Sequence, residues 1–303
     1  MSPRARGPAP TQHEPGGLRT STNNSAVEHC FAAIELLAED GASLPVPDIA
    51  ARLSLPQPDL RRLLATMSHA GWVELDAETG RYRMTLRLAV LSQRFLIATH
   101  IPDVCQPVLE RLARETRELV RMAIVDGEAL TLVASVQGAP AGLICQSPIL
   151  PKMPLHATAS GKAWLATLPP EEARGIVRRQ GFSDHDTLGP RALRSVSALA
   201  RELDATRRRG WGLAVEEAEP GVGAVAAAIW PGSPQARGVA TVSVTAPMLR
   251  FGTDRIERAV PLVQTAAAEL ARLWPLRVLH TARREASRQA TAATEAGAVA
   301  QPE

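Results

Sequence analysis

Residues 156–162 have types and spacings that could support catalysis. His156 and Ser160 lie four residues apart, as neighbours on one helical face do, and could serve as a base and a nucleophile. No acidic residue close in sequence would orient His156, and the Ser-Gly-Lys string at 160–162 lacks the upstream Gly and the following Ser or Thr of a phosphate-binding loop. The adjacent Glu216 and Glu217 favour a solvated or salt-bridged turn over a catalytic pair, because adjacent residues seldom share a face. We therefore expect no enzyme activity and no cofactor.

A row of hydroxyl groups is predicted on one face of a strand. Side chains alternate along residues 238–245, so Val239, Thr241, Ser243 and Thr245 share a face. Buried hydroxyls are costly without partners. Neighbouring backbone or a ligand carboxylate could satisfy them, and the residues alone favour backbone, since most side-chain hydrogen bonds go to backbone or water.

Upstream, residues 47–85 predict two short helices followed by a two-stranded wing. The first helix covers 47–53, and the second begins near Pro58 and has an apolar stripe at helical spacing. Alternating residues on either side of 76–80 predict a hairpin, in which Gly80 supplies the positive φ of the turn. This order is typical of a winged helix-turn-helix, whose second helix enters the DNA major groove. The residues expected to contact DNA are Arg52, Gln57, Asp59, Arg61, Arg62, Thr66, Arg81 and Arg83.

Apolar periodicity predicts which faces of this region are buried. A helix over 25–40 precedes the two short ones, and its expected stripe is Val27, Phe31, Ile34 and either Leu37 or Leu36. The stripe of the second short helix is Leu60, Leu63, Leu64 and Met67. In the wing, the residues expected to face one another are Val73, Leu75, Tyr82 and Met84.

The charge of this region supports DNA binding through its distribution. The whole chain has a net charge of +3. Residues 23–100 contain seven Arg and nine acidic residues, but from Arg52 onward the count is seven Arg and four acidic residues. Positive charge therefore lies where the second helix and the wing are expected, although charge alone would not establish a nucleic-acid partner.

The segments together predict a two-domain α+β protein. Residues 1–22 and 276–303 are polar and are predicted to be disordered tails. Residues 23–85 form the winged helix-turn-helix domain, 86–101 a linker helix, and 102–275 an α+β domain. The linker helix is apolar on more than one face, so it either packs onto its own domain or forms a dimer seam. The pairing typical of DNA readers of this type favours the seam.

In residues 102–275, helices and strands come in blocks. Helices are predicted at 102–116, 160–168, 170–180, 195–209 and 253–273. Strands are predicted at 119–125, 130–136, 141–145, 213–215, 222–230 and 238–245.

Composition limits the class of protein. A chain of 303 residues that is 45% hydrophobic can bury two cores. Cys30, Cys105 and Cys145 lie far apart with no CxxC pair, which fits a reducing cytoplasm and argues against a disulfide framework or a zinc cluster. No apolar run approaches the roughly 20 residues that a membrane span requires, and the N-terminus lacks the apolar core of a signal peptide. We expect a cytoplasmic protein with no membrane partner and no metal.

Three motifs in order resemble the signatures of IclR-type transcriptional regulators. They are PLHATASGKA at 154–163, RRGW at 208–211 followed by Glu216-Glu217 and Gly221-Val222, and SVTAP at 243–247 followed by Arg250. The resemblance covers roughly residues 25–274. It implies a winged helix-turn-helix and a GAF-like effector domain. The implied partners are double-stranded operator DNA, a small-molecule effector, and further copies of the chain in a dimer or a dimer of dimers.

The resemblance also implies an effector site. The residues expected to line it are Leu143, Cys145, Ala159, Ser160, Ala214, Ala224, Ser243 and Thr245. In this context a ligand is favoured as the partner of the strand hydroxyls, and the N-terminus of the helix at Ser160 would suit an anion. Ala214 and Ala224 stand where family members often place an Asp and a Cys. This departure predicts an aromatic or medium-chain organic acid, or a related apolar metabolite, rather than a short oxo acid.

A second departure concerns DNA. Pro58-Asp59 stands where the family usually has a small hydroxyl pair, and Asp59 would repel the phosphates that such hydroxyls contact. Arg62 occupies the position of the family's recognition-helix Arg. DNA binding is still expected, with an operator that need not resemble the family's usual one. The alternative is a small-molecule-binding protein or an enzyme with a vestigial winged domain, for which Asp59 is the only support in the sequence.

Overall fold

The computed structural model describes residues 26–40, 43–139, 145, 153–182, 188–231 and 237–274. The chain divides into two compact units between Arg94 and Phe95, within the helix Arg87–Ala98. Among the described residues, no helix is long and apolar enough to cross a membrane.

The first unit is a winged helix-turn-helix, as the sequence predicted. Its helices are α1 (Ala26–Asp40), α2 (Val46–Leu53) and α3 (Gln57–His69), followed by α4 (Arg87–Ala98). Its strands are β1 (Leu44–Pro45), β2 (Val73–Leu75) and β3 (Arg81–Met84). They form an antiparallel sheet in the order β1-β3-β2. The two-residue strand β1 was not predicted, because a segment this short carries no periodicity.

The core of this unit confirms one predicted stripe and corrects two others. Leu60, Leu64 and Met67 of α3 are buried. On α1, however, Val27 and Phe31 are 59% and 61% exposed, which contradicts the predicted stripe. Leu37 is buried as predicted, and Ala33, which the stripe did not include, is also buried. In the wing, Leu75 is 48% exposed, which corrects its predicted inward placement. Periodicity identified α1 as amphipathic but assigned its buried face to the large side chains, whereas the buried face includes the small Ala33.

Helix α4 has no buried residue. Its first turn is attached to the winged domain, because the Arg87 guanidinium lies 5.2 Å from the centre of the Trp72 ring and donates a hydrogen bond to the Ala70 carbonyl. Beyond that turn, packing onto its own domain does not account for its apolar side chains. The exposed large apolar residues are Leu88, Val90, Leu91, Phe95 and Ile97.

The second unit is built on a five-stranded antiparallel sheet in the order β5-β4-β8-β7-β6. The strands are β4 (Leu119–Asp126), β5 (Ala129–Gln137), β6 (Gly212–Val215), β7 (Val222–Ile229) and β8 (Ala240–Pro247). The helices are α5 (Ile101–Thr116), α6 (Ala159–Leu165), α7 (Pro170–Gln180), α8 (Val196–Arg209) and α9 (Thr253–Leu273). The strand predicted at 141–145 lies outside the described residues except for Cys145, which is not in a strand.

Helices cover both faces of this sheet. Helices α5 and α9 pack on one face against buried residues such as Val120, Val242 and Val244. The other face carries α6, α7 and α8, with Ala123 in its cluster. Strand β8 is consequently buried along its whole length. Arg250, after β8, is held to Glu118 at the start of β4 by two hydrogen bonds of 2.7 and 2.8 Å, which fixes the register of the central strands.

Candidate small-molecule pocket and nucleic-acid interface

Strand register places the predicted effector residues of the sheet in two adjacent rows on the side that carries α6. The first row is Gly212, Ala226, Ser243 and Arg121. The second row is Ala214, Ala224, Thr245 and Leu119. Successive residues on one face of a strand are roughly 7 Å apart, so a single small molecule can span both rows. We call these eight residues the pocket face.

The three hydroxyl residues of β8 lie on this side of the sheet, as the alternation predicted, whereas the valine predicted beside them does not. Ser243 and Thr245 are buried, and the Ser243 hydroxyl donates a long hydrogen bond of 3.5 Å to the Arg121 carbonyl. Thr241, one row further along, is fully buried, and its hydroxyl has no hydrogen-bond partner among the described residues. Val239 precedes the strand and packs against the cluster on the opposite face, so its predicted placement was wrong.

Two glycines allow α6 to lie directly on the sheet. A Cβ on Gly212 would stand 2.2 Å from the Ala159 carbonyl oxygen, and a Cβ on Gly161 would stand 2.3 Å from the Leu155 carbonyl oxygen. The first contact fixes α6 against β6, and the second folds the preceding turn against α6. The glycine that directly follows the RRGW motif and the glycine of the SGK string therefore both serve close backbone approach.

The N-terminus of α6 is a weaker anion site than the sequence suggested. The helix has seven residues, and the Thr158 hydroxyl accepts a 3.1 Å hydrogen bond from the Gly161 amide. A helix this short has a small dipole, and one of its free donors is already satisfied. Ser160 is buried within its first turn, and we assign the helix end itself no anion.

The alanines on β6 and β7 have different surroundings. Ala214 is 4% exposed and belongs to a cluster of small residues with Ala159, Ala163 and Ala226, so its small side chain serves the close approach of α6. Ala224 lies at the edge of this cluster and is half-buried. The Ala214 side chain therefore packs beneath α6, whereas Ala224 stays partly exposed.

At the β4–β5 edge of the pocket face, Cys145 is 5% exposed, and its carbonyl accepts a 3.2 Å hydrogen bond from the Gln137 side chain on β5. Since Gln137 pairs with Leu119, this contact brings Cys145 close to the second row. Leu143, the remaining predicted effector residue, lies outside the described residues.

Arg121 is a charged residue of the pocket face that the sequence motifs do not include. It is half-buried on β4, directly opposite Ser243. Burial lowers the pKa of its guanidinium, while the Cys145 thiol and the Glu219 carboxylate act in the opposite direction. The signal was present in the sequence as a single cation at an alternating position of the otherwise apolar strand 119–125, LVRMAIV.

A buried ion pair joins α6 to the segment after β6. Lys162 is 1% exposed, and its ammonium lies 2.6 Å from Glu217 and 3.8 Å from Glu202. Burial raises the pKa of Glu217 above its ordinary value of 4.5, and the charge of Lys162 offsets part of that rise. Glu216 and Glu217 therefore do not act as a pair: Glu217 is buried on Lys162, whereas Glu216 lies 3.6 Å from Arg191.

His156, one of the two candidate catalytic residues, lies in the interior beside an aromatic ring. His156 is fully buried, and its ring lies 4.9 Å from the ring of Phe182 at a tilt of 60°.

A cavity of about 370 Å³ lies away from the pocket face, at the edge of the sheet among α6, α8, β7 and α9. Its lining is rich in alanine and includes none of the predicted effector residues.

In the first unit, the predicted DNA-contacting side chains of α3 lie on its exposed face. Gln57, Asp59, Arg61, Arg62 and Thr66 are all exposed, as is Arg52 on α2. The Arg62 guanidinium lies 2.6 Å from the Asp59 carboxylate, with 82% and 53% of the two side chains exposed. Asp59 therefore carries its own countercharge, which removes much of the repulsion expected from it.

The two wing arginines differ. Arg83 is exposed and lies 2.5 Å from Glu74 on the neighbouring strand. Arg81 is half-buried and donates hydrogen bonds of 2.6 and 2.8 Å to the Ser43 carbonyl, so it holds β3 to the segment before β1. Arg83 is thus available to a partner, whereas Arg81 has a structural role.

The wing turn is fixed by Asp76, whose pKa is lowered by hydrogen bonds from Thr79 and Glu78.

Comparison with known proteins identifies the family of each unit. Residues 26–77 match the model of the IclR helix-turn-helix domain, and residues 93–272 match the model of the bacterial transcriptional regulator IclR C-terminal domain. The chain is 30% identical over 240 residues to the transcriptional repressor IclR of Escherichia coli, covering 78% of this chain and 85% of that one. It is 28% identical over 247 residues to the regulator XynR of the same species, covering 82% and 96%.

Solved structures share the fold. An IclR regulator from Alicyclobacillus acidocaldarius aligns with a TM-score of 0.70 at 20% identity, over 82% of this chain and 98% of that one. An IclR homologue from Microbacterium hydrocarbonoxydans, complexed with 4-hydroxybenzoate, aligns with a TM-score of 0.67 at 23% identity, over 82% and 98%.

Proposed function

Because this chain belongs to the IclR family of bacterial transcriptional regulators, we propose that an aromatic or medium-chain organic acid binds its pocket face and controls its hold on operator DNA. The DNA contacts come from α3 and the wing. The acid acts by favouring one of two states of the regulator, since a ligand shifts an equilibrium only by its difference in affinity for the two. The cytoplasmic location expected from the sequence belongs to the same proposal.

The exposed face of α3 supports the DNA contacts. Arg61 and Arg62 are adjacent and exposed, and three apolar residues of the same helix are buried on the opposite side. Such a helix can enter a major groove without disturbing its own domain. Thr66 donates its hydroxyl to the Arg62 carbonyl at 3.0 Å, so its side chain is used locally and supports the proposed interface less than the arginines do.

The change Arg62→Ala tests this interface. One phosphate or base contact is worth about 1–3 kcal/mol, so operator affinity should fall about 5- to 150-fold while the fold is kept. A gel shift with DNA from upstream of the protein's own gene region measures the effect. Arg178→Ala, which removes an equally exposed cation from the second unit, is the control and should leave affinity unchanged. Equal affinity of the folded Arg62→Ala variant and the wild type would remove Arg62 from the interface.

The single observation that carries the effector proposal is the register of the pocket face. It brings two hydroxyls, Ser243 and Thr245, beside an apolar surface formed by Leu119 and Ala224. Polar groups that meet one end of a ligand and apolar groups that meet its body are the usual composition of a small-molecule site. An aromatic body buried on this surface gains roughly 25 cal/mol per Å² of apolar area.

Calorimetry with matched acids tests the effector class. We expect 4-hydroxybenzoate and benzoate to bind more tightly than pyruvate and glyoxylate, because the short acids leave the apolar wall uncovered. Acids that bind should also change the gel-shift affinity for the operator. Tight binding of the short acids with no response to the larger ones would refute the aromatic or medium-chain class, while leaving the DNA-binding proposal intact.

The exposed apolar side chains of α4 support a dimer. Phe95 is 70% exposed and Val90 is 55% exposed, so the helix presents apolar surface from both of its halves. A second copy of the same helix can cover this surface, and a two-fold dimer would present two recognition helices to two half-sites.

A further inference from the structure

We propose that the Arg121 guanidinium binds the carboxylate of the effector and thereby selects acids over their neutral counterparts. The inference rests on the proposed function, because it assigns the effector's charged end to one residue of the pocket face. Arg121 is a residue that the sequence motifs do not include.

Arg121 lies at the β4 end of the first row of the pocket face. It pairs with Ser243 of β8 in the first row, and its neighbour two residues before, Leu119, pairs with Thr245 in the second. On the far side, Ser135 of β5 is its partner. A carboxylate bound to Arg121 would therefore lie next to hydroxyl residues of both neighbouring strands. The apolar part of the same ligand could extend over Leu119 and Ala224.

The chemistry of Arg121 fits a carboxylate. A guanidinium remains charged in proteins and presents N–H donors in a planar fork that matches two carboxylate oxygens. Half-burial strengthens such a bond, since the surrounding medium screens charge less than water does. Of the described residues that make up the pocket face, the other seven are uncharged, so Arg121 alone distinguishes an acid from an amide there.

Other charged or titratable groups near Arg121 come from two further segments. Cys145 lies above β5 and β4, and Glu219 lies between β6 and β7. Both act electrostatically on Arg121. Glu217 in the same connection is already engaged by Lys162 at 2.6 Å. Glu219 therefore competes with an incoming carboxylate for the positive charge of Arg121, and removing the Glu219 charge should strengthen acid binding.

Calorimetry on the full-length protein with benzoate and benzamide tests the proposal. The two molecules have nearly the same shape and differ in charge. The change Arg121→Gln should weaken benzoate binding about 10- to 100-fold, because a charge-assisted bidentate contact is lost. Benzamide binding should change less than about twofold. Arg121→Lys should fall between Arg121→Gln and the wild type, since it keeps the charge and loses the fork.

Two further variants serve as controls. Arg178→Gln removes an exposed cation on α7 and should leave both affinities unchanged. Glu219→Gln should strengthen benzoate binding and leave benzamide unaffected. Thermal unfolding of each variant identifies changes in stability, and Arg121→Lys keeps the test decisive if Arg121→Gln fails to fold.

The outcomes separate this inference from the proposed function. Equal weakening of benzoate and benzamide would show that Arg121 shapes the pocket without reading charge, and would overturn the inference. Unchanged benzoate binding in a folded Arg121→Gln protein would also overturn it, while the effector proposal would stand. If no carboxylate in the panel binds the wild-type protein, both proposals fail, and the proposed DNA contact of Arg62 is judged separately by gel shift.

Discussion

The buried ion pair between Lys162 and Glu217 allows a prediction whose magnitude follows from the structure. The change Lys162→Met removes the ammonium and leaves the Glu217 carboxylate, one oxygen of which already has no hydrogen-bond partner among the described residues. Glu202 keeps its 2.7 Å ion pair with Arg209, so most of the uncompensated charge falls on Glu217. Removing one partner of a buried pair costs about 3–5 kcal/mol of unfolding free energy.

This loss is large enough to measure by thermal unfolding. For a domain of 150–250 residues, each kcal/mol shifts the melting temperature by about 2–4 °C, so Lys162→Met should lower it by about 6–20 °C. The double change Lys162→Met with Glu217→Gln should regain most of that loss, because no uncompensated charge remains. Arg179→Met breaks the exposed pair with Glu128 and is the control, for which we expect no measurable shift.

The effect should also depend on pH. The pKa of Glu217 is raised in the folded protein, so the folded state binds the proton more tightly than the unfolded state does. Stability from this group is therefore present at low pH and is lost as the pH rises from about 4.5 through the folded pKa. Without Lys162 that pKa rises further, and the deficit of Lys162→Met should be smaller at pH 5 than at pH 8 in urea unfolding. An equal deficit at both pH values, together with no recovery in the double variant, would refute the reasoning.

Two further predictions concern assembly and the pocket. Leu91→Asp should convert dimers to monomers in sedimentation velocity, because it places a charge on the apolar surface of α4. The control Gln93→Asp, an exposed change on the same helix, should leave the dimer intact. A dimeric Leu91→Asp protein would show that the dimer interface lies elsewhere. Ala214→Asp should lower the melting temperature and weaken acid binding, since Ala214 lies in the small-residue cluster beneath α6 and a carboxylate there would be buried. A folded Ala214→Asp protein with unchanged affinity for benzoate in calorimetry would show that the cluster lies outside the ligand's reach.

The sequence predicted elements more successfully than faces. The winged helix-turn-helix was identifiable because each of its signals is local: two short apolar stripes, a Pro-containing turn, and a glycine in the wing. Val27 and Phe31 were misplaced because the period of α1 shows that one side is apolar and does not show which neighbour covers it. Ala33 is fully buried, and a small residue contributes little to a hydrophobic pattern.

The pocket face also shows that local sequence patterns do not predict which distant residues come together. Alternation along residues 238–245 predicted the shared face of Ser243 and Thr245, which the structure confirms. It could not predict that Arg121, more than a hundred residues earlier, lies opposite Ser243, because that pairing depends on the order of strands in the sheet. Lys162 and Glu217 are likewise far apart in sequence, and nothing local indicates their contact.

The ion pair between Asp59 and Arg62 has a consequence for the response of DNA binding to ionic strength. An arginine that neutralises a phosphate releases condensed cations from DNA, and each such contact steepens the logarithmic dependence of affinity on salt by about 0.9. In the proposed DNA contact, Asp59 accompanies Arg62 at 2.6 Å, so the pair would bring little net charge to the phosphates and displace fewer cations than an unpaired arginine. Affinity for the operator should therefore depend weakly on salt concentration, and the proposed recognition helix should depend more on the bases it meets than on the charge of the backbone.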